Sequence, residues 1–167
     1  MGRMRDVTRV PRGPLPATIG GAVDLSELPC RSVLFVYPRT SPPEGAPEGW
    51  ELIPGARGCT AESCTFRDLA ADFAAHDTAI FGLSTQGPAY QAEAAARLHL
   101  PYPLISDAGC SLAAPLGLET FTFEGVTLYR RTTLVIEAGA VVHRFTDIAD
   151  PGGHPAKVLK WLARASS

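Results

Sequence analysis

The sequence predicts an α/β sandwich built on a mixed sheet, and three observations carry that prediction. Two apolar runs, SVLFVY (Ser32 to Tyr37) and AIFGLST (Ala79 to Thr85), have the continuous hydrophobicity of strands covered on both faces. Between them Phe66, Leu69, Ala70, Phe73 and Ala74 recur at the spacing of one helical face. Later, VTLYRRTTLVIE (Val126 to Glu137) and AVVHRF (Ala140 to Phe145) flank Ala138-Gly139, a hairpin signal.

The elements follow in order. Residues 1–20, rich in Pro, Gly and Arg, are expected to form an irregular N-terminal arm ahead of a single domain over 21–167. The first strand runs into a Pro/Gly-rich stretch, Pro38 to Gly58, too broken for regular structure and long enough to suggest a functional loop. A helix is expected from Thr60 to about His76-Asp77, with Glu62, Arg67, Asp68 and Asp72 mostly off its apolar face. After the second strand come an alanine-rich helix (Tyr90 to His99), a short strand at Leu104-Ile105 and a helical turn around Ser111 to Leu116. The hairpin is followed by a C-terminal helix, His154 to Ala165, whose Val158, Leu159, Trp161 and Leu162 can pack on the sheet.

Composition excludes several classes. With 46% apolar and 19% charged residues and a formal net charge of -2, the chain is globular and has no basic face suited to a phosphate backbone, so no nucleic acid is expected as a partner. No apolar run approaches the roughly 20 residues that cross a bilayer, and position 6, where a myristoylation signal wants Ser or Thr, is Asp6. A cytoplasmic location without membrane contact is expected. Four cysteines in a reducing compartment then argue for thiol chemistry or metal binding rather than a disulfide framework.

The stretch GCTAESCTFRD, residues 58 to 68, decides between those two. The four histidines are dispersed and offer no second ligand pair, which disfavours zinc, and a C-x-x-C dithiol would need closer cysteines. Residues five apart on a helix lie roughly 8–9 Å between Cα atoms, beyond the reach of a disulfide, so Cys59 and Cys64 bond only if the helix start unwinds. Cys59 follows Gly58 at the helix start, where free N–H groups and the helix dipole lower a thiol's pKa; Cys64 sits deeper. The asymmetry points to Cys59 as the attacking thiol and Cys64 as the resolving one. Glu62 opposes the thiolate, so a cation is wanted, and Arg57 and Arg131 are available. Cys30 and Cys110 read as inert, small buried side chains.

This segment resembles the active-site helix of Q-type peroxiredoxins, the bacterioferritin comigratory proteins of the AhpC/TSA superfamily, whose pattern is G-C-T-x-E with a second Cys five positions on. FGLSTQ, PLISD and RRTTLVIEAGAVVHRF resemble further family elements, so the likeness covers about residues 30 to 165. It implies a thioredoxin-like fold, a mixed central sheet with helices on both faces, and reduction of hydrogen peroxide and small alkyl hydroperoxides. It implies Cys59 as peroxidatic Cys, Cys64 as resolving Cys and Arg131 as the cation beside the thiolate, with a thioredoxin-type dithiol as reductant. No metal or organic cofactor is required, and a monomer is expected, with a dimer as the alternative.

One departure stands out. The family's P-x-x-x-T-x-x-C pattern would place Pro and Thr at Leu52 and Ala56; instead YPRT, ending at Thr40, looks like the front of the motif, separated from Cys59 by a loop inserted at 41–57. The expectation is that the insert bulges outward, leaving the Thr40 hydroxyl near Cys59 with Pro38, Gly58 and Arg57 around the substrate pocket. Trp50 and Glu51 would cover that pocket or meet a reductase. Two rivals are a one-Cys peroxidase resolved by an external thiol and a non-catalytic redox-sensing switch.

Overall fold

A computed structural model describes residues 8–19, 21–39 and 58–165. Its centre is a six-stranded mixed sheet. The first strand of the core, β4 (Arg31–Val36), pairs in parallel with β5 (Thr78–Ser84), and β5 in parallel with β6 (Leu104–Ser106). On its other side β4 meets β9 (Thr132–Glu137) antiparallel, followed by β10 (Ala140–Phe145) and the short edge strand β1 (Thr8–Arg9). Side chains alternate across this sheet with period two. Leu34, Val36, Leu83, Ile105, Leu134 and Ile136 feed one core, and Val33, Phe35, Tyr37, Ile80, Leu104 and Val135 the other.

The second core lies under α1 (Cys59–Asp68), α2 (Ala70–Ala75) and α5 (His154–Ala165), while Ala95 and Leu98 from α3 (Pro88–Arg97) and just past it reach its border. The first core is closed mainly by the short α4 (Ala113–Leu116), Leu25 of a 3-10 turn and Tyr129. Helices thus cover both faces, but unequally. At Gly82 of β5 an added Cβ would lie 2.7 Å from Leu104 Cδ2 and 2.9 Å from Phe35 Cζ, so the aromatic packing beneath the helices demands glycine there.

Several boundaries differ from the sequence reading. The helix expected from Thr60 to His76 is two helices: Leu69, at φ -100° and ψ 5°, interrupts it, while Phe66 and Phe73 on either side remain fully buried with rings 5.6 Å apart. Periodicity reports the buried face and is blind to one residue's ψ. The segment from Val126 to Glu137 is not one strand. Its first part, β8 (Val126–Tyr129), forms a separate hairpin with β7 (Thr120–Phe123), and Arg130-Arg131 bridge to β9. The turn between β7 and β8, Glu124-Gly125, has positive φ at both residues, as a tight primed hairpin turn requires. Nor are residues 8–19 merely irregular lead-in: besides β1, β2 (Pro14–Pro16) pairs with β3 (Ala22–Asp24), and Ala17 bridges to Ile105.

This topology creates the site. Val36 at the end of β4 pairs with Thr132 at the start of β9, so the next residue of one strand and the preceding residue of the other, Tyr37 and Arg131, emerge at the same sheet edge. Helix α1 begins over that edge.

Candidate active site

Gly58 caps α1 in the left-handed region, φ 101°, without any side-chain cap. A Cβ there would also stand 2.7 Å from Pro151 Cγ, so both conformation and space require glycine. The consequence is that Cys59, the first helical residue, sits at the helix N-terminus and only 3% exposed.

Arg131 comes to it from β9's start. Its Nη2 donates to Cys59 Sγ at 3.2 Å and its Nη1 donates to Glu62 Oε1 at 2.6 Å. All three side chains are buried. Cys59 and Glu62, at i and i+3, share one helix face, and one guanidinium spans both. Burial pushes Glu62 up to about 7, against the pull of Arg131. Burial also raises the Cys59 thiol; the Arg131 guanidinium and the Arg39 backbone N–H pull the other way, and Glu62 adds to the rise. The expectation of a lowered Cys59 pKa is thereby corrected. It counted the helix end and the cation and left out the desolvation of a fully enclosed sulfur.

A polar layer supports the trio. Tyr102 donates its hydroxyl to Ser63 O at 2.6 Å, and Gln91 Nε2 donates to Ser84 Oγ at 2.9 Å and Ile105 O at 2.8 Å. Burial holds the Tyr37 phenol well above its usual range. Thr133, two residues after Arg131, meets His154 Nε2 at 2.8 Å, and burial together with Arg131 drives that imidazole down to about 4.

The structure therefore brings Cys59, Arg131 and Gly58 together, and leaves Pro38 buried just beyond β4. Thr40 and Arg57 lie outside the described residues, as do Trp50 and Glu51. Cys64 is half-buried within the same intact helix as Cys59. Arg130 is exposed, 3.9 Å from Glu119 and stacked 5.3 Å from the Phe121 ring centroid, as expected of a surface arginine. Cys30 is exposed rather than buried, and Cys110 is half-buried against the first core. Sequence reasoning set Glu62 against the thiolate but mostly off the apolar face and did not pair it with Arg131, and it missed His154. The signal for Glu62 was available: three residues beyond Cys59 it cannot leave the face that Cys59 occupies.

The sequence profile of the family described as Redoxin matches residues 3–160. The chain belongs to the redoxin family. Within the redoxins it falls with the Q-type peroxiredoxins. The crystal structure of peroxidoxin BcpB from Mycobacterium tuberculosis aligns with a TM-score of 0.78 and 31% identity, over 99% of this chain and 100% of that one. A Mycobacterium tuberculosis protein named as a peroxiredoxin is 36% identical over 63% of this chain and 59% of its own length. Chloroplastic peroxiredoxin Q of Gentiana triflora is 30% identical over 65% of this chain and 49% of its own length. The matches thus span about half to three-fifths of these curated relatives. The fold alone is also shared with the bacterioferritin comigratory protein of Xanthomonas campestris, at a TM-score of 0.73 and 23% identity over 92% of each chain. Together these likenesses make the redoxin's architecture thioredoxin-like.

Proposed function

We propose that this redoxin is a thiol peroxidase that reduces hydrogen peroxide and small alkyl hydroperoxides, with Cys59 as the peroxidatic residue and Arg131 as its cation. The observation that carries the reading is the buried Arg131 Nη2 to Cys59 Sγ hydrogen bond, 3.2 Å long, at a helix N-terminus. Such a sulfur is shielded from casual reagents, while the guanidinium and backbone N–H groups face the place where charge develops on the peroxide oxygens. Sulfur attacks the terminal oxygen, the O–O bond breaks, and Cys59 becomes a sulfenic acid. In this reading Pro38 and Gly58 border the substrate; Thr40 and Arg57, assigned to the site from the sequence, lie outside the described residues.

Resolution by Cys64 follows in this reading. Both cysteines lie in α1, whose helical rise separates their Cα atoms by roughly 8–9 Å, so the disulfide forms only when the first turns unwind. A thioredoxin-type dithiol then reduces it. Among the described residues no helix is long and apolar enough to cross a membrane.

The intact helix favours one rival, a one-Cys cycle in which an external thiol attacks the sulfenic acid directly. The deciding experiment is a peroxidase assay coupled to thioredoxin and its reductase, run on the wild type, Cys59→Ser and Cys64→Ser. Loss of turnover only in Cys59→Ser supports the rival; loss in both supports the intramolecular disulfide. Turnover surviving in Cys59→Ser sinks both.

A further inference from the structure

The middle of α1 is tied to a fixed post. Tyr102, only 4% exposed, donates its hydroxyl to Ser63 O at 2.6 Å. The post has little freedom to swing. Tyr102 stands between Pro101 and Pro103, so the φ of each neighbour is locked and Tyr102 itself is biased to an extended backbone by the proline that follows. Its ring meets that of Phe35 edge-on at 5.6 Å, and Pro103 O accepts from the Gly82 N–H at 3.1 Å, which fastens the segment to β5. Burial raises the pKa of the phenol, so it stays protonated and remains a donor.

Ser63 lies inside the stretch that separates the two thiols and directly precedes Cys64. Cys64 reaches Cys59 only when that stretch leaves the helix, and the stretch cannot leave while the Ser63 carbonyl is held from the sheet side. We propose that the Tyr102 hydroxyl is a latch on α1, and that its release sets the rate at which Cys64 closes on oxidised Cys59. The inference rests on the reading of Cys64 as the resolving thiol and deepens it. Tyr102 acts through the helix, as a positioning residue, and takes no part in the exchange of bonds at sulfur.

The step that the latch delays balances without an outside reagent. The Cys64 sulfur attacks the sulfenic sulfur of Cys59, the S–S bond forms as the S–O bond breaks, and the departing hydroxyl takes the Cys64 proton and leaves as water. Cys64 sulfur is oxidised and Cys59 sulfur reduced by the same amount. The break at Leu69 suits the motion, because it lets α1 unwind while α2 keeps Phe73 in the core. The bond from Tyr102 to Ser63 O exists only in the closed helix, so losing it makes opening more frequent, by about three- to tenfold.

The test compares full chains carrying Cys30→Ser and Cys110→Ser, with and without Tyr102→Phe. Each is oxidised with hydrogen peroxide, quenched with acid at timed intervals and read by intact mass, so that sulfenic acid and disulfide are followed separately. Tyr102→Phe should leave the sulfenic step within about twofold of the parent and speed disulfide formation about three- to tenfold. Disulfide formation at the parent's rate, or slower, overturns the proposal. Leu116→Ala, in the first core on the opposite face of the sheet, controls for a general loss of stability. Its disulfide step should stay at the parent's rate, and an acceleration matching that of Tyr102→Phe overturns the proposal. Should Tyr102→Phe lack the native circular dichroism spectrum, hydrogen exchange of the reduced parent decides. The Arg67 N–H, whose helical acceptor is Ser63 O, should then exchange at least about tenfold more slowly than the N–H groups of α2, and equal or faster exchange overturns the proposal. A parent that forms no Cys59–Cys64 disulfide removes the resolving role of Cys64 and the latch with it, whereas a failure confined to Tyr102→Phe removes the latch alone.

Discussion

Gly58 lies against Pro151 so closely that a Cβ on Gly58 would stand 2.7 Å from the ring's Cγ, and this contact sets how α1 begins. Gly58→Ala would force a Cβ into the ring at a φ of 101° that L side chains rarely adopt. Stability should fall by about 1–3 kcal/mol, which for a chain this size lowers Tm by several degrees. The rate of Cys59 oxidation should drop as the sulfur leaves Arg131. Scanning calorimetry showing an unchanged Tm would contradict this account of the helix start.

Arg131 serves two acceptors through separate nitrogens of its planar fork, a span that the compact ammonium of lysine does not reproduce. Arg131→Lys should keep the fold and slow peroxide oxidation of Cys59 by about 10²-fold or more. Arg131→Met leaves Glu62 buried without a cation and should cost about 3–5 kcal/mol at pH above 7. That loss should shrink on acidification, because Glu62 then takes a proton. Denaturant melts at two pH values check the trend; a pH-independent loss would argue that Glu62 is not ionised in the wild type.

Cys64→Ser separates attack from resolution. Single-turnover oxidation of Cys59 should be unchanged, and the sulfenic acid should persist and be trapped by dimedone. Thioredoxin-coupled turnover should fall at least about tenfold. Turnover at the wild-type rate would transfer resolution to an external thiol.

His154 carries a pH signature of its own. Its pKa is about 4 in the fold and 6.5 ordinarily, so the unfolded chain binds a proton that the folded chain refuses. Stability from this residue is constant above pH 6.5 and falls as pH drops towards 4, by on the order of 2–3 kcal/mol. Glu62 runs the opposite way, since its raised pKa lets the folded chain bind protons between 4.5 and about 7 and so favours folding on acidification. The His154 share is therefore read as the difference between wild type and His154→Gln. Parallel Tm-against-pH curves for the two would refute it.

Much of the architecture was readable along the chain because it rests on local periodicity. The runs at Ser32–Tyr37 and Ala79–Thr85 became the adjacent central strands β4 and β5, and the C-terminal helix lies at His154–Ala165 as expected. The weak strand Thr120–Phe123 escaped notice because its exposed-intermediate alternation and Glu-Gly turn resemble an ordinary surface loop. The break at Leu69 escaped because both helices present one continuous apolar face.

For the site, one-dimensional information established that two thiols stand five residues apart at a helix start and that Arg131 precedes the strand TTLVIE, because composition and spacing are properties of the chain itself. Only the tertiary structure decided that Glu62 points inward to share Arg131 with Cys59, and that burial outweighs the cation on the sulfur's pKa. Charge and desolvation act through space. A residue's partners across β4 and β9, and the loss of water around them, come into being only when the sheet edge and the helix are packed together.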